Sequence, residues 1–218
     1  MTTQDQLAAQ ILQSKSLPVS RSWLSTFLAS NNNQRNIPLT ATTQTALFRI
    51  PSSVFRETLS TRNSASLLTT DITNPAVKER QLQGPVPVQV VDIEDIGASI
   101  WSQVEEIERV ERGEAVRGRE IVRTVNVGED SEERAQNNTR SEAGGGSGSA
   151  GPHRLTLEDA AGTRVIGVEL QRMQELGIGK LSIGAKMLLK NATVARGLVL
   201  LTPESVTFLG GKIEHLDR

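Results

Sequence analysis

The tract Gly146-Ser147-Gly148-Ser149-Ala150-Gly151 has the literal spacing GxGxxG, in which backbone can approach a pyrophosphate closely. Dinucleotide chemistry needs a strand before those glycines and a helix after them, so that phosphate meets a helix N-terminus. Here a polar tract precedes and Pro152-His153 follows, so the spacing carries no nucleotide site. The pairs Gly179-Lys180 and Gly211-Lys212 lack the Walker glycine five positions earlier. With no cysteine, disulfides, thiol nucleophiles and Cys-based metal sites are excluded. The two histidines, His153 and His215, have no sequence partners that would make a triad or a metal site, and read as structural or solvated. Asp92, Glu94 and Asp95 could form a carboxylate cluster but read as a solvated strand end. Asn137-Asn138-Thr139 and Asn191-Ala192-Thr193 match the glycosylation pattern, which means little without a secretory signal. The expectation is a protein that is not an enzyme and needs no cofactor.

The elements around these residues divide the 218-residue chain. Residues 5–59 have helical spacing: Leu7 and Ile11, then Trp23, Leu24, Phe27 and Leu28 after Pro18 and Ser20, then Leu39, Ala46, Leu47 and Ile50 after Pro38. Pro51 breaks the third helix, and Ser52 is placed to cap a continuation through Phe55 and Leu59. Such short helices must pack on one another or on the segments C-terminal to them, so a three-helix bundle is expected within residues 1–80.

From Val86 to Ile93 the chain is β-branched, and strands resume at "HRLTLED", "TRVIGVELQ", "KMLLKNATV" and "RGLVLLTPESVTFLGG". Gly167 inside a strand suggests the bend a small barrel requires. Five strands over residues 81–218, with a long connection after the first, predict a small closed β-barrel. Residues 97–152 then form an insertion between its first and second strands, because a lone strand at 86–93 would leave its backbone donors and acceptors unpaired.

Within the insertion, Trp101, Val104, Ile107 and Val110 recur every third residue amid Glu and Arg, one helical face, while Ile121 and Val125 lie in a strand-like setting. From Gly128 to Gly151 no apolar side chain is larger than alanine, and the chain is expected to be disordered between about 128 and 152. A flexible chain of about 25 residues spans roughly 25–30 Å. Ile100, Trp101, Val104 and Ile107 are candidate anchors in a partner groove; packing on the protein's own barrel or bundle is the competing role.

Net charge is −1, so bulk electrostatics argue for neither nucleic acid nor membrane as partner. No apolar run approaches the roughly 20 residues of a spanning helix, and the N-terminus lacks a signal-peptide pattern, so an intracellular protein is expected. A small barrel can bind single-stranded DNA through stacked aromatics and a basic groove. Residues 153–218 hold one aromatic, Phe208, and 9 basic against 7 acidic residues, which equips them poorly for that alternative.

"LEDAAGT" at 157–163, "GAKMLL" at 184–189 and "RGLVLLTPESVTFLGGKIEHL" at 196–216, with "VQVVDIEDIGAS" at 88–99, resemble the OB-fold domain of the RecQ-mediated genome instability (Rmi) family. Residues 5–59 look like its N-terminal helical bundle, so the likeness covers nearly everything but the insertion's interior. The chain ends soon after the barrel, like the short fungal members. The resemblance implies a non-catalytic nuclear subunit that binds a type IA topoisomerase III, works with a RecQ-type helicase and promotes double Holliday junction dissolution, with DNA met mainly through the complex. It implies that the loop between the first two barrel strands reaches the topoisomerase gate. It also implies that Lys186 contributes to topoisomerase binding, against the alternative of an ordinary exposed strand lysine. Ile100, Trp101, Val104, Ile107, Ile121 and Val125 carry over only by their position in the loop.

Overall fold

A computed structural model describes residues 2–31, 38–113, 151–178 and 180–216. The helical part opens with α1 (Thr3–Lys15), whose start is set by a reciprocal cap: Asp5 N–H donates to the Thr2 hydroxyl and Thr2 N–H to the Asp5 carboxylate. Helices α2 (Arg21–Asn31) and α3 (Leu39–Arg49) follow, then a 3-10 turn Ile50–Ser52 and a single-turn α4 (Phe55–Thr58). Pro51 ends α3 as its missing N–H requires. The expected cap at Ser52 is corrected: Ser52 belongs to the 3-10 turn, Ser53 follows it in an extended conformation with its hydroxyl donating to Ile50 O at 2.8 Å, and the N-cap of α4 is Val54, with no side-chain cap. Leu7, Ile11, Leu24, Phe27, Ala46, Ile50 and Phe55 form the helical core.

The described residues hold eight strands, β1 (Arg80–Leu82), β2 (Val86–Asp95), β3 (His153–Glu158), β4 (Arg164–Glu169), β5 (Lys186–Leu189), β6 (Ala192–Ala195), β7 (Leu198–Leu201) and β8 (Val206–Gly210). The expected count of five is thereby corrected. The extra number has a physical origin. Two sequence runs that read as single strands are each bent, at Asn191 with its φ of 51° and at the Thr202–Ser205 turn, and β1 is a short added edge. The order is β1-β6-β7-β4-β3-β2-β5-β8. Because β5 runs on into β6 and β7 into β8, the two ends of that order are one covalent ribbon, which curls the sheet on itself. The β4–β7 pair is parallel and the others are antiparallel. Gly167 lies inside the continuous strand β4, where a Cβ would press on Leu201 and Leu157 of the barrel core, so close packing is what the glycine serves there. That core comprises Val86, Val88, Val90, Leu155, Leu157, Val165, Met187, Leu189, Val199 and Leu201, among others.

Between β2 and β3, antiparallel neighbours paired from Gln89↔Glu158 to Asp95↔His153, α5 (Ile100–Glu111) leaves the sheet. No described helix is long and apolar enough to cross a membrane.

Candidate partner interface

The root of the insertion is built from short-range polar chemistry. The Asp95 carboxylate accepts N–H groups from Gly97 (2.7 Å) and Ala98 (3.1 Å), turning the chain out of the strand. Ile96 N–H donates to Pro152 O at 3.0 Å, closing the two limbs. Gly97 and Gly151 face one another so closely that a Cβ on either would overlap the other's backbone. Ser99 caps α5 through Ser102 N–H at 3.1 Å, and Gln103 Nε2 reaches back to Asp95 O (2.9 Å) and Ala98 O (3.0 Å). The helix is therefore tied to the sheet at its first turn.

Behind the root, His153 and Glu169 are both buried, and His153 Nδ1 meets Glu169 Oε2 at 2.5 Å. Glu169 also accepts the backbone N–H of His153 (3.1 Å) and of Met173 (2.7 Å), so this histidine is structural. His215 is exposed in the last described turn. The carboxylate trio separates into unrelated roles: Asp92 accepts the next residue's N–H, Glu94 pairs with Arg154 at 2.7 Å, and Asp95 holds the root. Among the described residues no group of three or more His, Cys, Asp or Glu could hold a metal.

The anticipated helical face is present, and its near end is uncovered. Ile100 is 81 % exposed, Trp101 73 % and Val104 42 %, so none packs fully on the barrel or bundle. Trp101 is fixed by its indole N–H, which donates to Glu105 Oε1 at 2.9 Å one turn on. Ile107 lies on the same helix, but its side chain, and Ile121 and Val125 entirely, fall outside the described residues. So do five of the six residues of the GxGxxG tract, all but Gly151.

A second uncovered apolar area lies on the barrel wall. Along β4 and β7 the residues alternate; Gly167 and Glu169 pair with Val199 and Leu201 inside, while Ile166 and Val168 pair with Leu198 and Leu200 on the outer face. Leu170, 62 % exposed, continues that row, and Ile96, 50 % exposed, lies at the root. The barrel's one aromatic, Phe208, is half-buried against the core and offers no stacking platform.

Lys186 requires a correction. It is not an exposed strand lysine: it is completely buried, with Nζ donating to Gln89 Oε1 (2.9 Å) and Gly184 O (2.7 Å) and sitting 5.0 Å from the centre of the Phe55 ring. Burial lowers its pKa from 10.5 to about 7. The cause is the helical bundle, which covers the outer face of β2 and β5. Gln89 Oε1 also accepts Phe55 N–H at 3.2 Å, and Leu188 and Leu209 pack into the helical core. Sequence reading missed this seam, although the unbroken apolar run Met187-Leu188-Leu189 signals a strand covered on both faces.

Two comparisons bear on this architecture. The family model described as RMI1, N-terminal OB-fold domain, matches residues 62–218, and that described as RMI1, N-terminal helical domain, matches residues 11–53. RecQ-mediated genome instability protein 1 of Schizosaccharomyces pombe is 28 % identical over 204 residues, covering 92 % of this chain and 84 % of that protein. Helices and barrel are matched in the order in which they fold, and the chain belongs to the RMI1 family.

Proposed function

We propose that this chain is a non-catalytic, nuclear subunit of a RecQ-associated genome-stability assembly, docking a type IA topoisomerase III on its barrel and modulating that enzyme's gate with the insertion. With a RecQ-type helicase it promotes decatenation and double Holliday junction dissolution, and DNA is met mainly through the complex. The observation that carries the reading is the uncovered face of α5: Ile100, Trp101 and Val104 stand in water on a helix whose base is clamped to the sheet. A fixed base with exposed anchors suits a probe that must follow a moving partner. A loop that binds open and closed gates with different affinity shifts the gate equilibrium by that difference alone. The outer face of β4 and β7 supplies an apolar area for the steady contact.

The test replaces residues 100–150 by a short turn. The truncated chain should fold and bind topoisomerase III, while decatenation by the complex changes. Loss of folding, or unchanged decatenation, overturns the proposal. Leu200→Glu on the barrel wall should do the reverse, weakening the complex while leaving the free chain folded.

A further inference from the structure

The helical bundle carries a groove, about 420 Å³, whose lining includes the rings of Trp23, Phe27 and Phe48 and the guanidinium of Arg49. The chain has six aromatic residues in all, two Trp and four Phe, so half of them converge here. Trp23 and Phe27 stack with centroids 5.2 Å apart. Phe48 is 82 % exposed, an aromatic side chain presented to water from the last turn of α3. The Arg49 guanidinium carbon lies 5.4 Å from the centre of the Phe27 ring, which places a cation beside the stacked pair.

The electrostatics single out one kind of occupant. Arg49 has no carboxylate partner among the described residues; its one recorded side-chain bond is a long 3.5 Å contact to the Ser30 hydroxyl. Neither α2 nor α3 contains an acidic residue. Indeed no Asp or Glu occurs between Asp5 and Glu57, while Lys15, Arg21, Arg35, Arg49 and Arg56 place five positive charges in that interval of a chain whose net charge is −1. The Thr26, Ser30 and Ser53 hydroxyls already donate to carbonyls of their own segments. The groove thus offers rings for an apolar side chain and, beside them, one guanidinium for one anion.

We propose that this groove binds a peptide segment of a partner protein that carries an aromatic or large aliphatic side chain beside a carboxylate. A single strand of nucleic acid fits less well, because backbone binding calls for a track of cations and, among the described residues, Arg49 is the only one lining the groove. The inference uses none of the insertion or barrel surfaces, so it stands or falls separately from the topoisomerase reading.

The smallest probe with this chemistry is 3-phenylpropionate, compared with 3-phenylpropanol, propionate and a thymidine 15-mer, in titrations of the full-length chain followed by the two indole N–H resonances. Phenylpropionate should move the Trp23 signal and leave Trp101 in place. The alcohol and R49Q should each weaken the response about tenfold or more, the worth of a charge-assisted hydrogen bond. F48A, at a position too exposed to threaten the fold, should weaken it as well, whereas R62Q outside the groove should not. An equal response to the alcohol, indifference to R49Q, or no movement of Trp23 overturns the proposal. So does the oligonucleotide moving Trp23 at lower concentration, which would make the groove a nucleic-acid site.

Discussion

Lys186 pairs a buried ammonium with neutral partners: an amide oxygen, a backbone carbonyl and a ring face. Each favours the charge somewhat, but no carboxylate compensates it, and burial wins, taking the pKa to about 7. In the unfolded chain the lysine keeps its ordinary value of 10.5, so between pH 7 and that value the unfolded state binds more protons than the folded one. This residue's contribution to stability therefore rises with pH across the window. Below it, the group is charged in both states and the cost of burying the ammonium is constant. Lys186→Met fits the same strand and leaves Gln89 still accepting from Phe55. The wild-type stability measured against K186M should climb by about 3 kcal/mol between pH 7 and 10, read by urea unfolding at each pH. A difference that stays flat would show that the lysine remains charged in the fold. A lysine in a strand reads as exposed until something is known to cover it, and the cover here comes from residues more than a hundred positions away.

The helix on the insertion was legible for the opposite reason. Its signal is local: apolar residues at every third position define a face without knowledge of the rest of the chain. The five apolar runs of the barrel were legible in the same way, whereas the bends at Asn191 and Thr202–Ser205 that divide two of them arise only when the sheet curls. Spacing alone left open whether the α5 face packs at home or waits for a partner, and exposure favours the second role. Ile100→Glu with Trp101→Glu should change stability by no more than about 0.5 kcal/mol, as expected of uncovered side chains, yet alter decatenation as much as removing the whole insertion. If the double variant instead lowers the melting temperature markedly, the face packs on the protein itself. The clamp below it behaves differently. Gly97→Ala meets the Gly151 backbone and should cost about 1–3 kcal/mol by overpacking, measurable by thermal unfolding, because the two limbs of the loop would have to part.

Bundle and barrel are joined by more than adjacency. Gln89 of β2 bonds Phe55 and Lys186 together, Glu158 accepts both Arg56 (3.1 Å) and Arg164 (2.7 Å), and Ala160 of the β3–β4 turn belongs to the helical core. At Gly162, with φ +85°, a Cβ would strike the Arg56 guanidinium, and at Gly211 it would strike the Pro51 carbonyl. Asp159 holds the join from the barrel side. Its fully buried carboxylate accepts N–H groups from Ala161 (2.9 Å) and Thr163 (2.8 Å) within the turn, and from Leu68 (2.9 Å) on the connection arriving from the bundle. In the sequence this is only the aspartate of "LEDAAGT", a turn former; that it reaches Leu68, ninety-one residues away, depends on the assembled fold. Asp159→Ala would leave three N–H groups short of an acceptor, one of them on the buried Leu68, and should cost about 2–4 kcal/mol, lowering the melting temperature by several degrees. Because the seam is shared, Trp23 fluorescence from the bundle and far-ultraviolet circular dichroism in the strand region should report the same midpoint in wild type, and D159A should move both together. Two midpoints in the wild type would mean that the halves unfold independently and that the seam contributes little. If they coincide in the wild type and separate only in D159A, the aspartate is what couples them, and the platform beneath the insertion depends on a carboxylate buried in the seam.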